Sequence, residues 1–384
     1  MQNPSTPKRP RAAVIMILPW TCALLLTAPL TLGGPSDPND PNEESLEQLS
    51  LQPKARGEEV SLDGFLSATR IGATTASLIP EAYLGTRIDH ARLRLTGELE
   101  GFSYRFGLDA LNSDLSLQDA WISREVSPDV LVTLGQFRPP LLTSSLLDAD
   151  RLLFPVRTRN GTFYSVRSPG LQVSGGEGRF GWSAAMQDGI IDPSDTLATM
   201  RLSYDFTGRG MLPWEGALKS DFRSHLWGTA SISKEDVLDS GTASALELHY
   251  VAGRYSFALE LLSYGDDYDL EGGPWGPDPA TNLRGERRGG TNPLSFTSTY
   301  MFIPDRVEFA IRYEDFDDNG GEGFGITGLE EETDFNRSNL YFGLNYYVND
   351  HDMKVHLGKL HETRDGLDDS DDRDIWAVGI SLSF

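Results

Sequence analysis

Apolar and polar residues alternate with a period of two along most of this chain. From about Val60 onward, segments of roughly 8 to 13 residues alternate and are separated by Gly, Asp, Asn and Pro. This pattern predicts sixteen strands, near 60–71, 91–100, 102–110, 117–125, 129–138, 168–175, 178–188, 197–206, 223–233, 242–251, 253–264, 291–302, 305–315, 336–348, 352–362 and 373–384.

The last nine residues decide between a soluble and a membrane-embedded sheet. Large apolar residues from Trp376 to Phe384 alternate there with small or polar ones. A soluble sandwich would show the same alternation, but a terminal strand ending on Phe would leave an apolar edge unpaired. A closed barrel has no such edge, because its last strand pairs with its first. We therefore predict an all-β fold, a sixteen-stranded antiparallel transmembrane β-barrel.

The connections give an independent test of this prediction. Short turns follow the even-numbered strands and longer connections follow the odd-numbered ones, as in outer-membrane barrels. The connection Thr207–Phe222 is the exception, because it should be short and is not. Sixteen strands enclose a space too wide for side chains alone to fill. No segment is long enough to form a separate plug domain, so the sequence predicts a water-filled pore.

Charged residues alternate with the apolar face and are predicted to line the lumen. The basic ones are Arg92, Arg94, Arg105, Arg201, Arg312 and Lys354, and the acidic ones are Glu98, Asp109, Asp119, Asp205, Glu247, Glu260, Glu308 and Glu314. The orientation of Arg138 is ambiguous. Two interpretations remain open for these arginines: a path for anionic solutes, or a network of salt bridges that stiffens the wall.

The connection 139–167 differs from the other long ones. It carries four arginines and two aspartates, a net charge of 4 − 2 = +2, and it contains apolar residues that should pack against something. Folded into the barrel, it would narrow the pore where charge acts most strongly. We predict a solute path lined by Arg92, Arg94, Arg138, Arg151, Arg157 and Arg159.

The N-terminus and the composition limit location and partners. Basic residues Lys8, Arg9 and Arg11 precede the apolar run 12–32, which predicts a signal peptide over 1–34. An uncleaved membrane anchor is the alternative. An acidic, Pro-, Asn- and Ser-rich linker is predicted at 35–59, and the barrel at 60–384. The formal charge of −24 argues against nucleic-acid binding.

Several segments resemble those of a known family. Residues 91–100, 102–109 and 117–122 look like the early strands of the phosphate-selective porin O and P family, and Gly135-Gln-Phe-Arg-Pro-Pro140 looks like the segment that opens its constriction loop. The family implies a usually trimeric channel in the bacterial outer membrane, with arginines and lysines along the pore. The mixed lumen charge here departs from that basic lining, so phosphate specificity does not follow.

The C-terminal strand also resembles the terminal signature of bacterial outer-membrane barrels. That resemblance implies insertion into outer-membrane lipid by the barrel-assembly machinery, with Trp376 and Phe384 as the signal. The function predicted is a porin, a diffusion channel for small hydrophilic solutes or anions such as phosphate.

Other functions were weighed against the porin. The alternatives are a non-conducting structural or adhesive barrel and a barrel enzyme, for which His249 beside Glu247 lacks an evident Ser partner. Residues 315–320 match the first half of a calcium loop, but Ile326 stands where the bidentate Glu is required. We predict no catalytic residues, no metal site and no cofactor, although the acidic connection 316–335 could bind divalent cations loosely.

Overall fold

A computed structural model describes residues 60–73, 84–111, 114–190, 194–220, 224–236, 241–265, 290–315, 336–365 and 372–384. The predicted signal peptide and linker, the whole acidic connection 316–335 and residues 366–371 lie outside these residues. The strands are β1 Val60–Ala73, β2 Gly85–Leu99, β3 Phe102–Leu111, β4 Asp114–Ser127, β5 Val130–Phe137, β6 Ser168–Glu177, β7 Phe180–Asp188, β8 Thr196–Asp205, β9 Ser224–Asp236, β10 Gly241–Ala252, β11 Tyr255–Tyr264, β12 Leu294–Ile303, β13 Val307–Asp315, β14 Asn336–Asn349, β15 Met353–Asp365 and β16 Arg373–Ser383.

These strands form one closed antiparallel barrel in which each strand pairs with its neighbours in sequence. β1 and β16 close the ring, with Phe65 opposite Ser383 and Ala73 opposite Ile375 at the two ends of the ladder. The predicted sixteen-stranded barrel and its closure by the last strand are therefore confirmed. None of the helices in the described part of the chain is long and apolar enough to cross a membrane.

The barrel is apolar outside and polar inside. Leu93, Leu134 and Val378 on the outer face are each at least half exposed, whereas Arg312 and Glu308 on the inner face are fully buried. The two faces follow from the pleat, because successive side chains of a strand point to opposite sides of the sheet. The outer face therefore presents the apolar surface that a bilayer requires.

The turns between paired strands distinguish the two rims. The turn after β2 has positive φ at both Glu100 and Gly101, as a tight two-residue hairpin needs. Short turns follow the other even-numbered strands except β8. The prediction that all odd-numbered connections are longer is wrong after β3, because β3 ends at Leu111 and β4 begins at Asp114. There the hydrogen-bond ladder continues beyond the apolar alternation from which the strand ends were predicted.

Deletion of Phe384 should sharply reduce the amount of assembled barrel. Its backbone exchanges two hydrogen bonds with Gly64, at 2.8 and 3.0 Å, and its ring covers Gly64, where a Cβ atom would collide with it. The two hydrogen bonds belong to the ladder between β1 and β16 that closes the barrel. The measurement is the fraction of heat-modifiable protein in outer-membrane preparations, with Phe384→Tyr as the control that keeps an aromatic ring. Equal amounts of folded deletion variant and wild type would contradict the prediction.

Candidate functional site

The connection between β5 and β6, residues 139–167, folds into the barrel and is called the inner loop below. It contains short helices at Thr143–Leu146 and Arg159–Phe163 and a single 3₁₀ turn at Ala149–Arg151. Thr158 begins the second helix, and its hydroxyl accepts a hydrogen bond from the Gly161 amide at 3.0 Å. This side-chain cap satisfies one of the amides that a helix start leaves unpaired.

Apolar residues hold the inner loop against the wall. Leu141, Leu142 and Phe163 are buried in one cluster with residues of β8, β10 and β11. Leu153 and Phe154 pack separately against Ala310 of β13. The prediction that the apolar residues of this loop pack against something is confirmed, and their partner is the inner wall.

Carboxylates of the wall accept hydrogen bonds from the inner loop. Glu247 accepts from the Thr143 amide at 2.7 Å, and Glu314 accepts from the Arg159 amide at 2.8 Å. Glu260 accepts from the Thr158 hydroxyl at 2.9 Å. These three acidic residues of the predicted lumen set therefore position the loop, because buried amides and hydroxyls need acceptors in a space that excludes water.

Cations of the wall hold the carbonyl groups of the same loop. Arg201 donates to the Leu141 carbonyl at 2.7 Å, and Arg312 donates to the Val156 carbonyl at 3.1 Å. Lys354 donates to the carbonyl of Leu152. The predicted lumen positions of these basic residues are correct, but their donors are engaged by the loop backbone.

A second segment enters the barrel from the opposite rim. Residues 206–220, called the rim segment, form the described part of the exceptionally long connection after β8. Leu212 and Ala217 pack in a buried cluster with Trp227 and Val251. Glu308 accepts a hydrogen bond from the Ala217 amide at 2.6 Å. The rim segment, whose inward course was not predicted, therefore fills part of the lumen together with the inner loop.

Glu215 joins the rim segment to the inner loop. Its carboxylate accepts from the Leu153 amide at 2.9 Å and pairs with Arg312 at 3.1 Å. Its own amide donates to the Arg151 carbonyl at 3.0 Å. Sequence analysis did not identify Glu215. The length of its connection and the apolar residues beside it are the signals that could have done so.

The filling of the lumen is one-sided. Inward residues of β7 to β15 are mostly buried beneath the inner loop and rim segment. On β2 to β4, in contrast, the inward Arg94, Arg105 and Trp121 remain partly exposed. The β1–β4 side, where these inward side chains remain partly exposed, is called the partly open side of the lumen below.

The predicted solute-path arginines have different environments. Arg92 is buried and pairs with Asp109 at 2.7 Å. Arg138 is buried, and Arg159 is buried beside the inner-loop backbone. Arg151 is partly accessible, with 39% of its side chain exposed, and it pairs with Asp150 at 3.2 Å.

Arg157 and Arg94 complete the predicted set. Arg157 donates to the Ser144 carbonyl at 2.5 Å, and burial lowers the pKa of its guanidinium to about 10. Arg94 pairs with Asp148 of the inner loop at 2.5 Å. The structure thus leaves Arg94, Arg151 and Arg157 partly exposed and buries Arg92, Arg138 and Arg159.

Three guanidinium groups converge on Asp148, and we call them the arginine cluster: Arg94, Arg105 and Arg138. Besides Arg94, Arg138 lies 3.3 Å and Arg105 lies 3.8 Å from the carboxylate. Burial alone would raise the pKa of Asp148, but these arginines outweigh it and hold the pKa well below its ordinary value. Asp148 is therefore ionised at neutral pH. Sequence analysis counted its charge but gave it no role.

His249, the histidine considered for catalysis, and His356 of β15 both have partners inside the barrel. His249 lies 3.5 Å from Glu247 and stacks on Trp227 with ring centroids 5.0 Å apart. His356 lies 2.7 Å from the Asn345 side-chain oxygen. Among the described residues, no three His, Cys, Asp or Glu side chains come together as a metal site would require.

Comparisons with known proteins bear on the fold. No family model matches the sequence, and no curated protein matches it. OmpT of Vibrio cholerae with loop L8 deleted, an outer-membrane protein, is similar at a TM-score of 0.55 and 13% identity, over 86% of this chain and 100% of that chain. Salmonella typhi OmpF, solved with daunomycin, has a TM-score of 0.55 at 14% identity, over 85% and 98% of the two chains.

A third solved structure, the outer-membrane channel DcaP of Acinetobacter baumannii, has a TM-score of 0.54 at 12% identity, covering 85% of this chain and 98% of that chain. At these identities the likeness concerns the fold. The chain therefore shares the closed β-barrel fold of these outer-membrane proteins.

Proposed function

We propose that this chain is an outer-membrane porin, a diffusion channel for small hydrophilic solutes that weakly prefers anions. The observation that carries the proposal is the inner loop, which is held inside the barrel and presents Asp148 to the arginine cluster on the partly open side. Charge at a narrow point within low-dielectric walls selects ions more strongly than charge at a wide mouth. The description of one structural neighbour as an outer-membrane channel supports the proposal.

Location and assembly belong to the same proposal. The apolar outer face and the outer-membrane proteins of similar fold support the bacterial outer membrane, reached through a signal peptide over 1–34. A homotrimer is proposed as well, and a solved trimer form of Vibrio cholerae OmpT, with a TM-score of 0.53, supports it. Phosphate is one candidate solute, but the lumen carboxylates favour a modest anion preference over tight phosphate binding.

Conductance across a planar lipid bilayer tests the proposal directly. The proposal requires an aqueous path that connects the two rims on the β1–β4 side, so purified, folded protein should give discrete, ohmic current steps. A folded barrel that inserts without producing current steps would refute the porin and favour the alternative, a non-conducting structural barrel. The buried inner wall of β7 to β15 is the observation that keeps this second candidate in view.

Replacing Arg151 and Arg157 with Ala should shift the reversal potential toward cations under a potassium chloride gradient. Both side chains are partly accessible, and their loss removes two positive charges from the inner loop while the lumen carboxylates remain. Arg179→Ala, an exposed change in the turn after β6, is the matched control and should leave the potential unchanged. An equal reversal potential in the double variant and wild type would place ion selection elsewhere.

A further inference from the structure

The arginine cluster has more hydrogen-bonding capacity than Asp148 uses. Each guanidinium carries five N–H donors in a fixed plane. The Nε atoms of Arg94, Arg105 and Arg138 are all buried and have no hydrogen-bond partner among the described residues. Unsatisfied buried donors are uncommon and call for an explanation. Here the donors belong to three side chains that already point at one small carboxylate.

Positive charge is also in excess at this place. The nearest other wall carboxylates are already engaged: Asp109 pairs with Arg92 at 2.7 Å, and Asp119 pairs with Arg167 at 2.8 Å. Among the ion pairs of the described residues, Asp148 is the one carboxylate that lies within 4.0 Å of all three guanidinium groups, while Asp119 acts on Arg105 and Arg138 from farther away. Like charges in a narrow, partly desolvated space repel one another, so a further anion would be attracted.

The cluster does not depend on Asp148 for its position. Arg138 donates to the carbonyls of Leu146 and Leu147 at 2.7 and 2.9 Å. The Arg105 guanidinium lies over the Trp121 ring, 5.5 Å from its centroid. These contacts would keep two of the three groups in place if the carboxylate moved away, which is the kind of preorganisation that favours ligand binding.

The inner loop, conversely, does not need the Asp148 side chain for its own local structure. Asp148 precedes the 3₁₀ turn Ala149–Arg151, yet its side chain makes no capping hydrogen bond there. Its contacts are ion pairs with the cluster, and 19% of the side chain remains exposed. Arg94 and Arg105 are also partly exposed, at 16% and 29%, on the side of the lumen that the two inward segments leave open.

We propose that the arginine cluster is a binding site for the carboxylate group of a small solute, and that Asp148 occupies this site as a tethered competitor. The inference rests on the proposed function and names the class of solute that the channel would favour. The present occupant defines the class, because Asp148 places an acetate-sized group with paired oxygens among the guanidinium forks. An arriving carboxylate exchanges with Asp148, which swings into the open side of the lumen.

The covalent attachment of Asp148 to the chain would lower the affinity of the arginine cluster for an external anion, as a channel requires. A carboxylate attached to the same chain has an effective concentration of about millimolar or more, so it keeps the affinity for an external anion low. Conduction needs a site that is attractive enough to enter and weak enough to leave. Asp148 therefore sets the affinity, and the arginine cluster sets the chemical class of the solute.

Calorimetric titration of the folded, full-length protein in detergent micelles with sodium acetate tests the inference. At constant ionic strength, Asp148→Ala should bind acetate at least tenfold more tightly than wild type, because the competitor is gone and the space it filled is free. Asp150→Ala is the matched control: it removes the same charge from the same loop, but its partner is Arg151 rather than the cluster. That control should bind acetate as weakly as wild type.

A second variant covers the case in which Asp148→Ala does not fold. Asp148→Asn keeps the shape of the side chain and should make acetate a blocker of chloride current at concentrations where wild type is unaffected. The inference is overturned if neither variant gains acetate affinity, or if Asp150→Ala gains as much. Tight acetate binding by a barrel that carries no current would support the site and refute the porin. Current without any gain in binding would support the porin and refute the tethered competitor.

Discussion

Excision of residues 141–165 should raise the single-channel conductance several-fold. These residues form most of the inner loop, which covers the inner faces of strands on the far side of the lumen from Arg94. A sixteen-stranded barrel without an inward loop encloses a wide aqueous channel. The ring itself should survive, because each strand is paired on both sides and the excised residues belong to no strand. Current steps in planar bilayers measure the change.

The control for this excision is a variant in which the same residues are kept but Leu142 and Phe163 become Ser. These two side chains are fully buried or nearly so in the cluster that holds the loop to the wall. The substitution should loosen the loop and produce noisy, intermediate conductance. A conductance in the excised protein equal to that of wild type would show that the narrowest point lies elsewhere.

Replacing Glu215, the only carboxylate of the rim segment, with Ala should destabilise the packed interior. The substitution removes the acceptor of the Leu153 amide and leaves the fully buried Arg312 without its carboxylate partner. Removing one partner of a buried ion pair costs about 3–5 kcal/mol in proteins generally. Arg312 keeps bonds to Thr297 and to the Val156 carbonyl, so the lower end of that range is expected.

The destabilisation caused by Glu215→Ala can be measured as a loss of protease protection of the inner loop in the folded barrel. Glu215→Ala should be cleaved within 139–167 much faster than wild type, while the β strands stay intact. Glu215→Gln, which keeps an acceptor for the Leu153 amide, should fall between the two. Cleavage of Glu215→Ala at the wild-type rate would mean that the rim segment does not hold the inner loop.

Strand number, barrel closure and the two faces of the wall were all predictable from the sequence. The period of two is dictated by the pleat, so alternation alone assigned Glu308 and Arg312 to the lumen, where both are fully buried. The inward course of the inner loop was predictable too. A long connection rich in leucine would expose too much apolar surface if it stayed in solvent.

The partners of the inner charges were not predictable. Asp148 meets Arg94 across 54 positions of sequence, and Glu215 meets Arg312 across 97. Such pairs depend on how far each segment reaches into the barrel, and no local pattern records that reach. The rim segment is the clearest example of a feature that could not be predicted from the sequence. Its unusual length was visible, but only the barrel interior reveals that Leu212 and Ala217 have a wall to pack against.

The one-sided filling has a consequence for the order in which the barrel folds. The inner loop and the rim segment pack mainly against strands that follow them in the chain, and at the seam between β1 and β16 the inner loop approaches Gly379 through Pro155. As each new hairpin joins the growing sheet, the sheet can therefore enclose the inner loop and the rim segment. Pairing of β1 with β16 then adds the last hydrogen bonds after most of the buried clusters have formed on the strands between them.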